Sequence, residues 1–436
     1  MPKCTAGQME FGRLGRRVLS ADFDGGALSS DGGLMLLRRV DERIGLSRAV
    51  ASVLHDGRDP DRITHDMRAL VAQRLYALCC GYEDLNDHSA LRRDPLMQTA
   101  VGVTRDLGSA PTLCRLENAA TQADVGALHR VLIEQFIASH DKAPDELILD
   151  IDASDIPLHG DQEGREFHGY YDHYCYLPLY VFCGQSMLAC YLRRSRIDGA
   201  KNATALIKGL VARLRLAWPN VRLIVRGDSG FCRQRLLRWC EKHRVDYVIG
   251  LARNKRLERL VEPLEARMRA AYSHSGAKQR EIDELRYAAD SWDKERRVIT
   301  RLEYGSQGNN PRFIVTTLTD ASSYLYDTLY CARGEAENRI KEAQLDLFGT
   351  RASCHDFLAN QIRLLLAVLA YTLMISLRRL ALQGTALQRA CAATIRVRLL
   401  KIGVAIIRNT RRIRLMFASH HPYRDTFLSA AQALAP

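Results

Sequence analysis

Acidic residues stand in this sequence at places where a carboxylate is costly. Leu147-Ile148-Leu149-Asp150-Ile151-Asp152 sets two of them inside an apolar run, and Val221 to Val225 leads straight into Arg226-Gly227-Asp228-Ser229-Gly230. An acid inside a central strand loses hydration and needs a cation or a hydrogen-bond donor in return. Carboxylates gathered at one sheet edge repel unless a divalent cation neutralises them, and oxygen ligands with room for water suit Mg²⁺ or Mn²⁺. A third acid comes from the stretch Tyr330 to Gln344. At roughly 100° per residue, Tyr330, Arg333, Glu337, Lys341 and Gln344 share an arc of about 80° on one helix face, and that stripe is polar. Taken singly, each acid has an ordinary reading: Asp as a turn residue, Glu337 as a solvated helix position paired with Arg333. Together they nominate Asp152, Asp228 and Glu337, separated by 76 and then 109 positions. Asp150 and Asp152 point to the same strand face, so spacing leaves open which of them is the ligand.

The elements that must position these acids follow from periodicity. Leu147 to Asp152, Tyr174 to Cys183 and Ser186 to Arg194 read as three successive strands, with Gly184-Gln185 as a tight turn. Asn202 is expected to cap a helix to about Trp218, broken by Pro219-Asn220; Val221 to Val225 is the fourth strand, Arg233 to His243 a helix, and Val245 to Ala252 the fifth strand. The order β-β-β-α-β-α-β is that of a ribonuclease-H-like mixed α/β sheet, in which the first and fourth strands are parallel neighbours and Asp152 and Asp228 adjoin. Alternation over Leu285 to Ala288, Arg297 to Tyr304 and Arg312 to Leu318 predicts a small β-rich insertion at about 275–320, followed by helices over 330–347 and 357–382. Residues 1–140 read as a mostly helical N-terminal domain, opening with an alternating segment Val18 to Phe23 and helices over 33–44 and 67–80; 141–382 is the catalytic domain and 383–436 a basic C-terminal segment.

In these residues the chain resembles the DDE transposases of bacterial insertion sequences, in particular the group with a Tyr-Arg-Glu-Lys signature. The resemblance rests on Asp152-Ala153-Ser154, on Gly227-Asp228-Ser229-Gly230-Phe231, and on Tyr330, Arg333 and Glu337 at Tyr-x2-Arg-x3-Glu spacing, and it covers roughly Leu147 to Leu382. The lysine position of the signature is held by Gln344, and Lys341 lies one turn earlier on the same face. The match favours Asp152 over Asp150 as first acid. It implies a metal-dependent enzyme with two Mg²⁺ ions (Mn²⁺ as substitute) held by Asp152, Asp228 and Glu337, cutting double-stranded DNA at the element's terminal repeats and transferring the 3′-hydroxyl into target DNA. It also implies a homodimer bridging two DNA ends, with Tyr330, Arg333 and Lys341 on phosphates. A non-cutting DNA-binding derivative and a metal-dependent nuclease without strand transfer are the alternatives.

Composition agrees with a nucleic-acid partner. The 436 residues carry 63 Lys plus Arg against 50 Asp plus Glu, a net charge of +13, and 47% hydrophobic residues, ample for folded cores. After Gln383, nine basic residues face one acid, Asp425. Between Thr394 and Phe417, Arg396, Arg398, Arg408, Arg412 and Arg414 alternate with aliphatic residues, which predicts a half-buried ribbon with a basic, phosphate-tracking face. Trp292 reads either as an exposed stacker for an unpaired base or as the filling of a small β core. His168-Gly169-Tyr170-Tyr171-Asp172-His173-Tyr174 reads as a loop along DNA or as simple loop packing. The 12 cysteines show no zinc-finger spacing and read as thiols, mostly in cores. No apolar run reaches the roughly 18 residues of a membrane span, Leu364 to Leu377 being the longest, and no secretory signal is seen, which suggests a cytoplasmic, nucleoid-associated protein.

Overall fold

The computed structural model describes residues 9–435, so Cys4 lies outside the described residues. The chain folds as two compact units. One comprises the N-terminal part through Ser52, Asp56–Leu116 and the chain from Ser376 onward; the other comprises Val53–His55 and Glu117–Ile375. These limits differ from boundaries at 140 and 382. The N-terminal helices and the C-terminal strands share one unit, and helix Gln122–Ala138 belongs to the other, where its His129 stacks on Tyr191 at 3.9 Å.

In the second unit a nine-stranded sheet carries the site. Its main strands are β1 (Glu146–Ala153), β2 (Leu179–Cys183), β3 (Ser186–Tyr191), β4 (Arg222–Gly227), β5 (Asp246–Leu251), β6 (Gln279–Tyr287), β7 (Arg296–Gly305) and β8 (Arg312–Thr316). They lie in the order β6-β7-β8-β5-β4-β1-β2-β3, with the short strand Gly308–Asn309 beside β7. β4 runs parallel to both β1 and β5, and the remaining pairs of that row are antiparallel. Helices Ala203–Ala217 and Gln234–Lys242 make the two crossovers that parallel pairing requires. One sheet face packs Leu147, Leu149, Ile151, Val225 and Ile249 into the larger core; the other packs Ile224, Val248, Ile299 and Ile314 against Leu325, Tyr326 and Leu329. At the β3 edge, the Gln361 amide accepts from Leu192 N and donates to Cys190 O, occupying an otherwise open strand edge.

Several elements depart from the sequence expectation for identifiable reasons. Pro178 offers no N–H, and the expected strand Tyr174 to Cys183 is divided there: His173–Tyr176 joins a small separate sheet and only β2 enters the large one. The expected insertion is continuous with the main sheet, since β8 pairs with β5. Asn202 adopts a left-handed conformation (φ 69°) and makes no side-chain cap. The expected helix 330–347 is composite: π-helical turns at Tyr324–Tyr330 and Glu342–Asp346 flank a 3-10 turn and an α-helix, Gly334–Lys341.

The first unit contains helices Leu34–Ile44 and Met67–Cys80, close to their expected spans, and a hairpin Met9–Leu14 with Arg17–Ala21. The C-terminal ribbon is shorter than expected. Ala392–Leu400 is helical, burying Ile395 and Leu399 at one-turn spacing, and only Val404–Arg408 and Ile413–Phe417 pair as strands. Val404–Arg408 also pairs with Leu28–Ser29, and Gly33 fits where a Cβ would come within 2.4 Å of Leu399 O and Leu400 Cα. Helix Phe357–Ala381 is long and apolar enough to cross a membrane by composition, but 78% of its most apolar window is buried in the fold, as a core helix would be. Six of the eleven described cysteines are buried.

The central strands are held by a buried ion pair. Asp150 on β1 lies opposite Arg226 on β4, and the guanidinium meets the carboxylate through both Nε and Nη2, the latter at 2.7 Å, with 5% and 7% of the side chains exposed. Burial raises the Asp150 carboxyl above the usual range, with Arg226 opposing it. Breaking such a pair strands a buried charge. We expect Arg226→Met to lose about 3–5 kcal/mol of stability in urea titrations, and Asp150→Leu combined with Arg226→Met to recover a large part of it.

Candidate active site

Two residues beyond the Asp150–Arg226 pair, the same register brings the next two acids level. Ile151 lies opposite Gly227, so Asp152 near the end of β1 and Asp228 just past the end of β4 leave the sheet at the same edge. The offset of 76 positions that matches Asp150 to Arg226 therefore also matches Asp152 to Asp228. Asp228 caps the short turn Ser229–Phe231, accepting from Gly230 N at 2.8 Å, which fixes its side chain at the sheet edge. Asp150 is taken up by Arg226 and is 5% exposed, whereas Asp152, half-buried, stands nearer the sheet edge.

Glu337 is brought to the same place through Arg333. The guanidinium reaches Glu337 Oε1 at 2.8 Å, one helical turn away, and Asp152 Oδ2 at 3.9 Å. Burial pushes the Asp152 carboxyl up to about 6; Arg333 works against this, while Asp228 and Glu337 add repulsion in the same direction as burial. Burial disfavours the Arg333 charge, but Asp152, Glu337, Tyr330 and Asp228 outweigh it and its proton is held more tightly than usual. Asp152 thus senses both other acids and shares the Arg333 cation with Glu337.

Tyr330 is seated by a glycine. A Cβ on Gly250, in β5, would lie 2.6 Å from the Tyr330 hydroxyl oxygen and 2.7 Å from Ser229 N, so only glycine lets the tyrosine close over the Asp228 turn. Burial raises the Tyr330 hydroxyl above its ordinary value. Lys341 is exposed, at the end of helix Gly334–Lys341. Gln344 is buried: in the π turn after Lys341 its amide donates to Asp155 O and to Tyr180 Oη, both at 3.2 Å. Tyr180 is the cross-strand partner of Asp152, so Gln344 anchors the helix to the sheet and has no free amide for a phosphate. The wider π turn shifts the phase of the expected stripe.

The remaining expected contacts divide. Trp292 packs edge-on to Tyr287, with the Arg296 guanidinium 5.1 Å from its ring centre, and lies against the larger core, which is the core-filling alternative. The segment 168–174 forms a hairpin whose His173 bonds Asp155 at 2.8 Å; burial pushes Tyr171 up to about 12, with Asp155 and Asp152 contributing, so this hairpin borders the acids. In the other unit, Arg396 donates to the carbonyls of Cys79 and Leu78 at the end of helix Met67–Cys80, and Arg398 stacks on Tyr423. Arg396 is half-buried and tied to that helix end, whereas Arg398, on the helical turn before the strands, is exposed. Arg412 and Arg414 are exposed, Arg414 on the strand Ile413–Phe417. Sequence reasoning missed Arg226, Tyr180 and Gly250; a cation inside Leu223-Ile224-Val225-Arg226 was the available signal for the first.

The donor set is three carboxylates, hard oxygen ligands of the kind that suit a small divalent cation. Among the described residues no three His, Cys, Asp or Glu side chains are grouped tightly enough to hold a metal as they stand. The Arg333 guanidinium contacts Glu337 at 2.8 Å and lies 3.9 Å from Asp152. Mutual repulsion of three acids and a raised Asp152 mark a place where added positive charge is favourable. The residues fit a divalent cation in chemistry, and closing them around one requires Arg333 to move aside.

A mixed sheet whose central parallel strands deliver acids to one edge, with a helix bringing a third, defines an α/β enzyme of the DDE type. The chain belongs to the transposase DDE domain group 1 family, whose model matches residues 11–436. It is therefore a DNA transposase, of a family that cleaves DNA and transfers strands and typically uses divalent metal ions. No curated protein matches the sequence. Among solved structures the chain is similar to piggyBac transposase in a synaptic complex with hairpin DNA, at 12% identity and a TM-score of 0.43, over 85% of this chain and 80% of that one.

Two outcomes follow. Gly250→Ala should cost about 1–3 kcal/mol through overpacking and lower DNA cleavage with it, because its Cβ meets the backbone that carries Asp228. Asp152, with its folded value raised, favours the folded state fully below its unfolded value near 4 and loses that contribution as pH climbs through about 6. Asp152→Asn should therefore gain stability relative to wild type between pH 4 and 7 in urea titrations; a constant difference would contradict the burial assigned to Asp152.

Proposed function

We propose that this chain is the transposase of a bacterial insertion sequence, cutting at the element's terminal repeats and joining the freed 3′-hydroxyl to target DNA. The observation that carries this reading is Arg333 contacting Glu337 and lying 3.9 Å from Asp152 at the sheet edge where Asp228 also emerges. The strand order β3-β2-β1-β4-β5, with β1 and β4 parallel at the centre, supports a ribonuclease-H-like core. Asp152, Asp228 and Glu337 would hold two Mg²⁺ ions, with Mn²⁺ as a substitute. When bound, such ions supply a deprotonated water near neutral pH and stabilise the leaving 3′-oxygen.

The chain's own residues then divide the work. Asp228 is locked by the Gly230 amide and changes position least. Burial raises the Asp152 carboxyl to about 6 with no cation bound, so a cation taken up there below that pH must displace a proton. Arg333, released from the acids, has a planar fork suited to two phosphate oxygens, and Lys341 offers a point charge one turn beyond Glu337. The Tyr330 hydroxyl, pressed against Gly250 and the Ser229 amide, is placed to orient a phosphate oxygen beside Asp228. Each DNA end needs one such site, so a homodimer on DNA is the expected assembly, working in the bacterial cytoplasm at the nucleoid.

The test incubates the full chain with Mg²⁺ and duplexes carrying the repeats that flank its gene. Single cuts at repeat ends followed by joining are expected, and Asp152→Asn, Asp228→Asn and Glu337→Gln should each lower cutting by about 10³-fold or more while remaining folded, Asp152→Asn with the stability gain expected of it. Cuts without joining would mean a nuclease; binding without any cut would overturn the enzymatic reading.

A further inference from the structure

Next to Tyr330 and Arg333 lies a cleft of about 550 Å³, walled by Ser229, Arg253, Arg301, Arg312 and Tyr326 as well. Nothing in the motif of three acids accounts for this second wall. Arg301 on β7 and Arg312 on β8 are direct cross-strand partners on the face that also carries Ile299 and Ile314. Like charges facing each other across a ladder are destabilising. The arrangement persists with little internal compensation. Arg301 has a weak pairing with Glu303 at 3.5 Å, and that carboxylate is shared with Lys278 and Arg280. The Arg301 Nε is buried with no hydrogen-bond partner. Arg253 and Arg312 are exposed and have no acidic partner among the described residues. The Arg301 guanidinium lies 5.3 Å from the Tyr326 ring centre, and that stacking fixes its plane at the cleft wall.

Four guanidinium groups around one concave surface make an anion site, and a low-dielectric cleft focuses their field. Its place in the sheet says which anion. β8 and β7 are the second and third strands from β4, which ends just before Asp228, and Arg312 is two residues along β8 from the level of that acid, so at about 4.8 Å per strand and about 3.4 Å per residue the backbone of the arginine pair lies roughly 12–16 Å away. Successive phosphates rise about 3.4 Å along the duplex axis but stand roughly 7 Å apart along one strand, so this is a separation of about two nucleotides. We propose that the cleft is a phosphodiester subsite: Arg301 and Arg312 grip one backbone phosphate of the DNA strand about two nucleotides from the reacting phosphate, with Arg253 at the rim. The subsite rests on the DNA-cleaving reading for its ligand. It makes the β7–β8 pair a positioning element that sets where along the strand the cut falls.

The experiment follows binding of fluorescent duplex DNA to the full chain by anisotropy in EDTA, across a salt series. Arg312→Gln and Arg253→Gln should each weaken binding about tenfold at fixed salt and lower the slope of log affinity against log salt by about one, whatever the DNA sequence. Arg312→Lys should restore the slope, since charge is what the contact needs. With a flanking-repeat duplex and Mg²⁺, Arg312→Gln should also spread cleavage over neighbouring positions. Unchanged affinity and slope in both glutamine variants overturns the subsite. Asp228→Asn, run alongside, keeps the two ideas apart: a wild-type protein that binds through the arginines and never cuts refutes the enzymatic reading alone, whereas one that cuts while the arginine variants bind normally refutes the subsite alone.

Discussion

The parallel register of β1 against β4 is the constraint on which the site depends. One alignment places Asp150 against Arg226 inside the sheet and, two residues on, Asp152 level with Asp228 at its edge. A slip of one residue would send every side chain to the opposite face. The buried pair makes such a slip costly, because each partner would be left charged among aliphatic side chains. Arg226 also donates to the Leu329 carbonyl at the end of the π turn that leads to Tyr330. The same guanidinium that locks the two strands therefore locks the helical segment supplying Arg333 and Glu337. The buried ion pair and the acids at the edge are thus two residues apart along one register.

Three acids at one edge would push apart, and Arg333 lessens that repulsion from within. It leaves the carboxylates oriented inward but not drawn together. Gly250 and Gln344 complete the seating from opposite sides, one by having no side chain and the other by bonding the sheet beneath Asp152 through Tyr180. Rigidity is thus concentrated around Asp152 and Asp228, whereas Glu337, 44% exposed, is held chiefly by its arginine.

How much of this was legible beforehand follows from how local each signal is. Acids in apolar strands are visible because the surrounding residues already declare burial, and the order of strands and helices around them is visible from periodicity. The choice between Asp150 and Asp152 was not, since both share a face and only the partner strand's Arg226 separates them. The π turns were invisible because a one-residue widening leaves the apolar pattern intact, and Gln344 therefore seemed to continue the polar stripe. Arginine alternation near the C-terminus suggested a strand, but Ile395 and Leu399 equally satisfy helical spacing, and tertiary burial decided between them. The Arg301–Arg312 facing pair depended on the register of two strands, which no single segment encodes. Gly250 could not be distinguished from any strand glycine until the Tyr330 hydroxyl was beside it.

The unit formed from both ends of the chain has a kinetic consequence. Its strand Leu28–Ser29 waits for Val404–Arg408, and Gly33 packs on Leu399 and Leu400, residues made some 370 positions later. At about 5–20 residues per second on the ribosome, that interval is roughly 20–70 s. The sheet bearing the acids lies wholly between these segments, so it can assemble while the N-terminal helices still lack their partners. During that time the early helices must remain unmated in the nascent polypeptide, and closure of that unit reports that translation has passed the entire catalytic sheet.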